Sequence, residues 1–215
     1  MNLNTKFVIT INRELGSGGR SVGRKLADQL GVPYYDKALG QGLQEKYNLT
    51  VEEIERLKGR EQGWWADLKR TLSGPTTDDT FIVTNEKGQS ERLETEAVFR
   101  TETEILKAIA KDESCIIAGR SAFYVFRDHP NHLNILIQAS MLTRMARVAR
   151  EQNMSREEAR MTIEKVDQMR ENYVNKYMNT SRYDSRNYQL VINMDELSEE
   201  KAVEIIMNYI NNLGA

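Results

Sequence analysis

Uninterrupted apolar runs of strand length punctuate this chain at Phe7–Ile11, Cys115–Ala118, Leu133–Ile137 and Leu190–Ile192, with a shorter one at Val32–Tyr35 between Gly31 and Asp36. Continuous rather than alternating runs suit strands covered on both faces, as in a parallel sheet. Between them lie segments with helical spacing: Ser21–Leu30, Val51–Leu57, Glu94–Ala110, Met141–Gln152, Ser155–Lys176 and Ser198–Leu213. Thr50 ahead of Val51-Glu52-Glu53, and Ser155 ahead of Glu157-Glu158, supply helix-start chemistry. The alternation predicts an α/β doubly wound fold, a mainly parallel five-stranded sheet flanked by helices. Gly59–Arg92 breaks the rhythm with Gly63-Trp64-Trp65, Ser73-Gly74-Pro75 and scattered Thr and Asp. It is expected to be a partly helical insertion over one end of the sheet, anchored by its tryptophans.

The turn after the first run is rich in glycine, Leu15-Gly16-Ser17-Gly18-Gly19-Arg20-Ser21, and an amphipathic helix follows it. A buried strand, a turn with inward N–H groups and the positive end of a helix dipole together hold phosphate. The GxxxxGK[ST] pattern has its second half here as Gly19-Arg20-Ser21, with arginine in the lysine position and Glu14 where the first glycine belongs. Gly16 and Gly18 leave room for close backbone approach. On that pattern Gly16, Ser17, Gly18, Gly19, Arg20, Ser21 and Val22 would wrap the β-phosphate of ATP. Arg20 would meet the β and γ oxygens, and Ser21 would place its hydroxyl on Mg²⁺. The plain alternative is an ordinary turn with Arg20 solvated on the first helical turn. A cation there opposes the dipole unless an anion meets it.

Composition narrows the field. A chain of 215 residues fits one α/β domain with a modest insertion. Charged residues make up 29% and the net charge is −2, so no block of like charge marks a nucleic-acid arm or an anionic membrane surface. Neither a nucleic-acid polymer nor a membrane is an expected partner. The single cysteine, Cys115, opens an apolar run; it excludes an internal disulfide and reads as a small core residue. His129 and His132 flank Pro130 in a turn before a strand and make no metal site by themselves. No apolar leader or membrane-length window occurs, and a cytoplasmic setting is expected. Segments containing Met and Trp leave room for a homodimer contact.

Further cations gather in the second half. Arg144, Arg147 and Arg150 share helical spacing after the strand end Gln138-Ala139-Ser140, which is either a solvated face or a cationic stripe at the ligand-binding edge of the sheet. Arg120 closes an apolar strand after Gly119, where a guanidinium can clamp a phosphate. Asp36 ends the short second strand at the same edge, as a partner for Mg²⁺ waters or the acceptor, or as a turn cap. Asp167 and Arg170, three apart, form at least an intrahelical ion pair.

Four blocks in order resemble the cytidylate kinase-like branch of the P-loop nucleoside-monophosphate kinases: ELGSGGRSVGRKLADQLGVPYYDK, CIIAGRSAFYVFRDHP, LNILIQASMLTRMARVAR and KVDQMR. The resemblance implies a single P-loop kinase-like domain over 1–215, with 40–98 as an acceptor-side helical insertion and 140–187 as a lid with arginine-rich helices. It implies a Mg²⁺-dependent enzyme moving the γ-phosphoryl of ATP to a nucleoside monophosphate, CMP or a related pyrimidine nucleotide. Arg144, Arg147 and Arg150 would belong to the lid, and Arg20, Arg144, Arg147 and Arg170 would be the catalytic cations. Asp36, Arg100, Arg120, Asp167 and Arg170 would face the acceptor, and Tyr183–Asn187 would lie near the donor adenine. Where the family reads Asp-Gly-Arg-Asp this chain has Ala118-Gly119-Arg120-Ser121, so cytosine selectivity does not transfer directly. Two rivals stand beside this reading. One is a degenerate nucleotide-binding sensor or scaffold. The other is a dinucleotide-binding oxidoreductase, which Gly16-x-Gly18 and the distant Asp36 suggest but Ser21 in place of the third glycine does not.

Overall fold

The computed structural model describes residues 1–36, 80–84, 90–119 and 121–213. The predicted helix Val51–Leu57, the Trp64-Trp65 pair and Arg120 lie outside them. Two units are present, one of Met1–Asp36 with Lys107–Ala215, the other of Lys37–Leu106.

In the first unit β1 (Val8–Arg13), α1 (Gly19–Leu30) and β2 (Tyr34–Tyr35) open the chain. In the second, β3 (Thr80–Thr84) and β4 (Ser90–Glu94) form an antiparallel ribbon, and α2 (Thr95–Asp112) leads back. The first unit resumes with β5 (Cys115–Ala118), α3 (Ala122–Val125), β6 (His132–Gln138), α4 (Met141–Gln152), α5 (Arg156–Met178), β7 (Leu190–Asn193) and α6 (Glu199–Asn212). The main sheet is all parallel in the order β2-β5-β1-β6-β7, so the predicted fold class holds. Within the stretch 40–98, expected to be helical, the described residues include this ribbon, one strand of which carries the β-formers Phe81-Ile82-Val83.

β1 outlasts its apolar run because the ladder to β6 continues through Asn12↔Leu136 and Arg13↔Ile137. β2 is shorter than predicted because the Val32 N–H donates to Ala27 O at the end of α1 and Pro33 has no N–H to offer. One face of the sheet is apolar: Ile9, Ile11, Ile135, Ile137 and Ile192 pack against Val22 and Leu26 of α1 and Ala202, Ile206 and Ile210 of α6. At roughly 25 cal/mol per Å² of apolar surface removed from water, this layer is the main force fixing β1 and β6 in place. Thr10, Asn12 and Asn134 are also buried but polar, and they are hydrogen-bonded within the fold. On α5, Ser155 and Glu158 form a reciprocal capping box.

Candidate active site

β1 lies at the centre of the sheet, with β5 on one side and β6 on the other. Chain connections leave it in both directions, and the crevice beyond its carboxyl end is where open α/β sheets bind ligands. The loop after it has Gly16 at φ 78° and Gly18 at φ 85°, and α1 starts at once. Ser17 is buried and folds the turn inward, its N–H and Oγ both donating to Glu14 O at 3.2 and 2.9 Å. The first helical hydrogen bond runs from Val22 N to Gly18 O at 3.1 Å. The N–H groups of Gly19, Arg20 and Ser21 precede that bond and have no acceptor within the helix. They and the dipole form an anion-binding end.

Behind the loop stands one buried carboxylate. Asp167 on α5 accepts from Leu15 N at 3.2 Å and from Arg144 Nη1. Arg170 Nη1 and Arg182 Nη1 lie 3.5 and 3.7 Å from the same Oδ1. Arg182 is 2% exposed, and its Nη2 donates to Arg13 O at 2.6 Å and to Asn12 Oδ1 at 3.1 Å. Glu14 accepts from Ala139 N at 3.1 Å and approaches Arg144 Nε at 3.7 Å. Burial pushes its carboxyl above the ordinary 4.5, against the opposing pull of Arg144. Arg147 lies along the loop: Nη1 donates to Gly16 O at 3.0 Å, and its guanidinium occupies the space a side chain at Gly18 would need. Among the described residues, Arg144, Arg170 and Arg182 meet Asp167 and Glu14 beneath the loop, and Arg147 pairs with no carboxylate.

A second constellation lies at the edge formed by β2, β5 and β1. Asp36 accepts from Arg13 Nη2 at 2.7 Å and from Arg20 Nε at 2.6 Å.

The loop residues, Arg20, Arg144, Arg147, Asp167 and Arg170 are therefore brought together, with Asp36 tied to them through Arg20. Arg144 is buried beneath the loop, and α4 and α5 are joined by a turn at Asn153–Ser155. Asp167 engages Leu15 N–H and Arg144 and so supports the loop. The Val22 side chain is in the apolar core and its N–H closes the first helical turn. Arg150 is exposed in the last turn of α4. Arg100 lies exposed on α2 in the second unit. Asp184 caps the short turn Ser185–Asn187 and pairs with Arg186 at 2.7 Å. Sequence reasoning missed Arg13, Arg182 and the tether at Glu14. An arginine closing a buried strand beside a glycine turn was a readable signal for Arg13; Arg182 sits in an unpatterned stretch and gave none.

A sequence model of the cytidylate kinase-like family matches residues 8–196. The chain belongs to the cytidylate kinase-like family. No curated protein matches it in sequence. Among solved structures it is similar to an uncharacterized protein from Eubacterium ventriosum, at TM-score 0.66 and 24% identity over 96% of this chain and 99% of that one. It is also similar to shikimate kinase from Acinetobacter baumannii in complex with shikimate, at TM-score 0.53 and 14% identity over 98% and 96% of the two chains. Shikimate kinase from Bacteroides thetaiotaomicron gives TM-score 0.52 and 14% identity over 95% and 98%. At these identities the structural likeness establishes the P-loop kinase fold. Membership of the cytidylate kinase-like family makes the chain a kinase-type phosphotransferase with a nucleotide-binding loop.

No cluster of three His, Cys, Asp or Glu side chains able to hold a metal occurs among the described residues. Exposed Ser21, on the first turn of α1, offers a single oxygen. That donor set fits Mg²⁺ only in the manner usual for it, with most ligands from phosphate and water. Among the described residues no helix is long and apolar enough to cross a membrane.

Proposed function

We propose that this protein transfers the γ-phosphoryl group of ATP to a nucleoside monophosphate, CMP or a related pyrimidine nucleotide. One observation carries the reading: the glycine loop opens at the sheet's carboxyl edge beside the guanidiniums of Arg144, Arg147, Arg170 and Arg182. Phosphoryl transfer asks little covalent work of a protein, so positioning and charge stabilisation supply most of the rate. The N–H groups of Gly19–Ser21 hold donor phosphate, and Arg20 and Arg147 flank it. Arg170, the partly exposed member of the Asp167 set, reaches the transferring group. Asp167 and Arg182 fix the backbone from behind. Ser21 would hold Mg²⁺, which when bound neutralises phosphate charge.

The deciding measurement is ATP consumption against each nucleoside monophosphate. Turnover with a pyrimidine monophosphate is expected. ATP binding without turnover on any acceptor would instead favour a nucleotide-binding sensor. Arg20→Ala and Arg170→Ala should each lower kcat about a hundredfold or more with melting curves near wild type; near-normal rates in both would show that these side chains do not meet the reacting phosphates.

A further inference from the structure

We infer that Arg13, the residue closing β1, reads the phosphate of the acceptor, and that Asp36 holds its guanidinium for that contact. The inference rests on the phosphotransferase reading and names the group that makes the acceptor a phosphomonoester.

The path of the side chain is the first ground. Arg13 leaves β1 beside Gly19, where an added Cβ would lie 2.7 Å from Arg13 Cβ. It ends over Gly119 at the carboxyl end of β5, where an added methyl would overlap Nη1. Gly119 has φ 72°, so a side chain there would be strained as well as obstructive. Nη2 then donates to Asp36 just after β2. The guanidinium therefore bridges the carboxyl edge of β1, β5 and β2, the half of the sheet away from β6 and β7. The donor loop, Arg147 and the Asp167 set belong to the other side of β1.

Donor accounting is the second ground. A guanidinium carries five N–H groups in a planar fork. The contact with Asp36 is the only side-chain hydrogen bond of Arg13 among the described residues, although its side chain is just 14% exposed. The remaining N–H groups of Arg13 are not sealed from solvent, so an incoming anion can reach them, and the fork matches two oxygens of a phosphate.

The third ground is spacing. Asp36 serves Arg13 and Arg20 with one oxygen each. Arg20 stands on the first turn of α1, where the donor phosphates belong, and Arg13 points toward β5 and β2. Asp36 thereby sets the spacing between two anion positions. A phosphate on the acceptor meets the open N–H groups of Arg13; the same molecule without its phosphate does not.

The test titrates the four ribonucleoside monophosphates and their parent nucleosides into the protein by calorimetry, with MgATP as a separate titrant. In the wild type one monophosphate should bind roughly 30-fold or more tightly than its nucleoside. Arg13→Met should erase that difference while MgATP affinity shifts less than about threefold. The double variant Arg13→Met/Asp36→Asn separates reading from mere neutralisation of Asp36. If Arg13 reads the acceptor, the monophosphate stays weak; recovered binding overturns the inference. Unchanged monophosphate binding in Arg13→Met also overturns it, as does a wild type that does not distinguish monophosphate from nucleoside. Should Arg13→Met melt below the assay temperature, Arg13→Lys decides, because it keeps a charge for Asp36 and loses the fork: weakened monophosphate binding supports the inference, and unchanged binding overturns it. Phosphate-dependent binding without turnover would sink the phosphotransferase reading and support the role of Arg13.

Discussion

Asp167 is the residue whose surroundings hold the most energy. Its carboxylate ties the loop backbone at Leu15 to guanidiniums from α4, from α5 and from the segment before β7. Removing one partner from a buried ionic set costs far more than the net worth of the set, because the remaining charges stay buried without compensation. Asp167→Ala leaves Arg144 and Arg182, 7% and 2% exposed, without their shared anion. Its unfolding free energy by urea titration should fall by about 3–5 kcal/mol. A loss under half a unit would mean that Glu14 and backbone carbonyls already satisfy these arginines. Gly16 is sensitive for a different reason. Its φ is 78°, and a Cβ would stand 2.8 Å from both Arg144 O and Val148 Cγ2, one of them backbone that cannot yield cheaply. Gly16→Ala should cost about 2–3 kcal/mol, read from the same titration, and should weaken MgATP binding because the loop must move off α4. Glu14 shows how a glycine of the usual pattern can be replaced: its carboxylate reaches away from the loop's open side to Ala139 N–H and Arg144, so it braces the loop without entering the phosphate space.

Elements were legible where burial alone decides them. Cys115–Ala118 and Met141–Gln152 coincide with their predicted bounds because apolar runs and caps determine both ends. The ribbon of Thr80–Thr84 with Ser90–Glu94 was not, since its strands lie within a stretch of mixed polarity. The site divides in the same way. Backbone geometry imposed the glycine loop and so left a pattern in the sequence. The partners of Arg13, Arg144 and Arg182 depend on which strands become neighbours, and a parallel sheet with crossovers hides that from local reading. β6 offers a further case. Its first residue, His132, is half-buried with Nε2 at 2.7 Å from Thr10 Oγ1. Burial, aided by the nearby His129, pushes its pKa from the ordinary 6.5 down to about 4, with the Phe126 carbonyl opposing. Between those values the unfolded chain binds a proton that the folded chain refuses, so stability falls as pH drops from 6.5 toward 4. The contribution lost reaches about 3 kcal/mol. Comparing wild type with His132→Gln in urea titrations from pH 7 to pH 4 isolates it from the carboxylates. The variant should show a shallower decline across that window, and parallel curves would mean that the ring protonates in the folded state.

For the whole molecule, the net charge of −2 hides a strong local asymmetry. Acidic side chains dominate elsewhere, as at Glu199 and Glu200 on α6, while arginines from β1, α1, α4, α5 and the approach to β7 crowd one edge of the main sheet. A polyphosphate approaching that edge meets a positive field although the protein as a whole repels it weakly. Salt acts differently on the two layers of this field. Arg20 is 44% exposed and the open side of the loop faces water, so attraction there is screened once the Debye length shrinks to a few ångströms. The Arg144–Asp167 pair is buried and is screened much less. Raising ionic strength from about 0.05 to 0.5 M should therefore weaken MgATP binding by about tenfold in calorimetric titrations. The melting temperature of the ligand-free protein should move by no more than a few degrees, about the effect of 1 kcal/mol in a chain of this size. Equal salt sensitivity of binding and melting would place the nucleotide away from this edge, because only a ligand meeting the exposed layer separates the two responses.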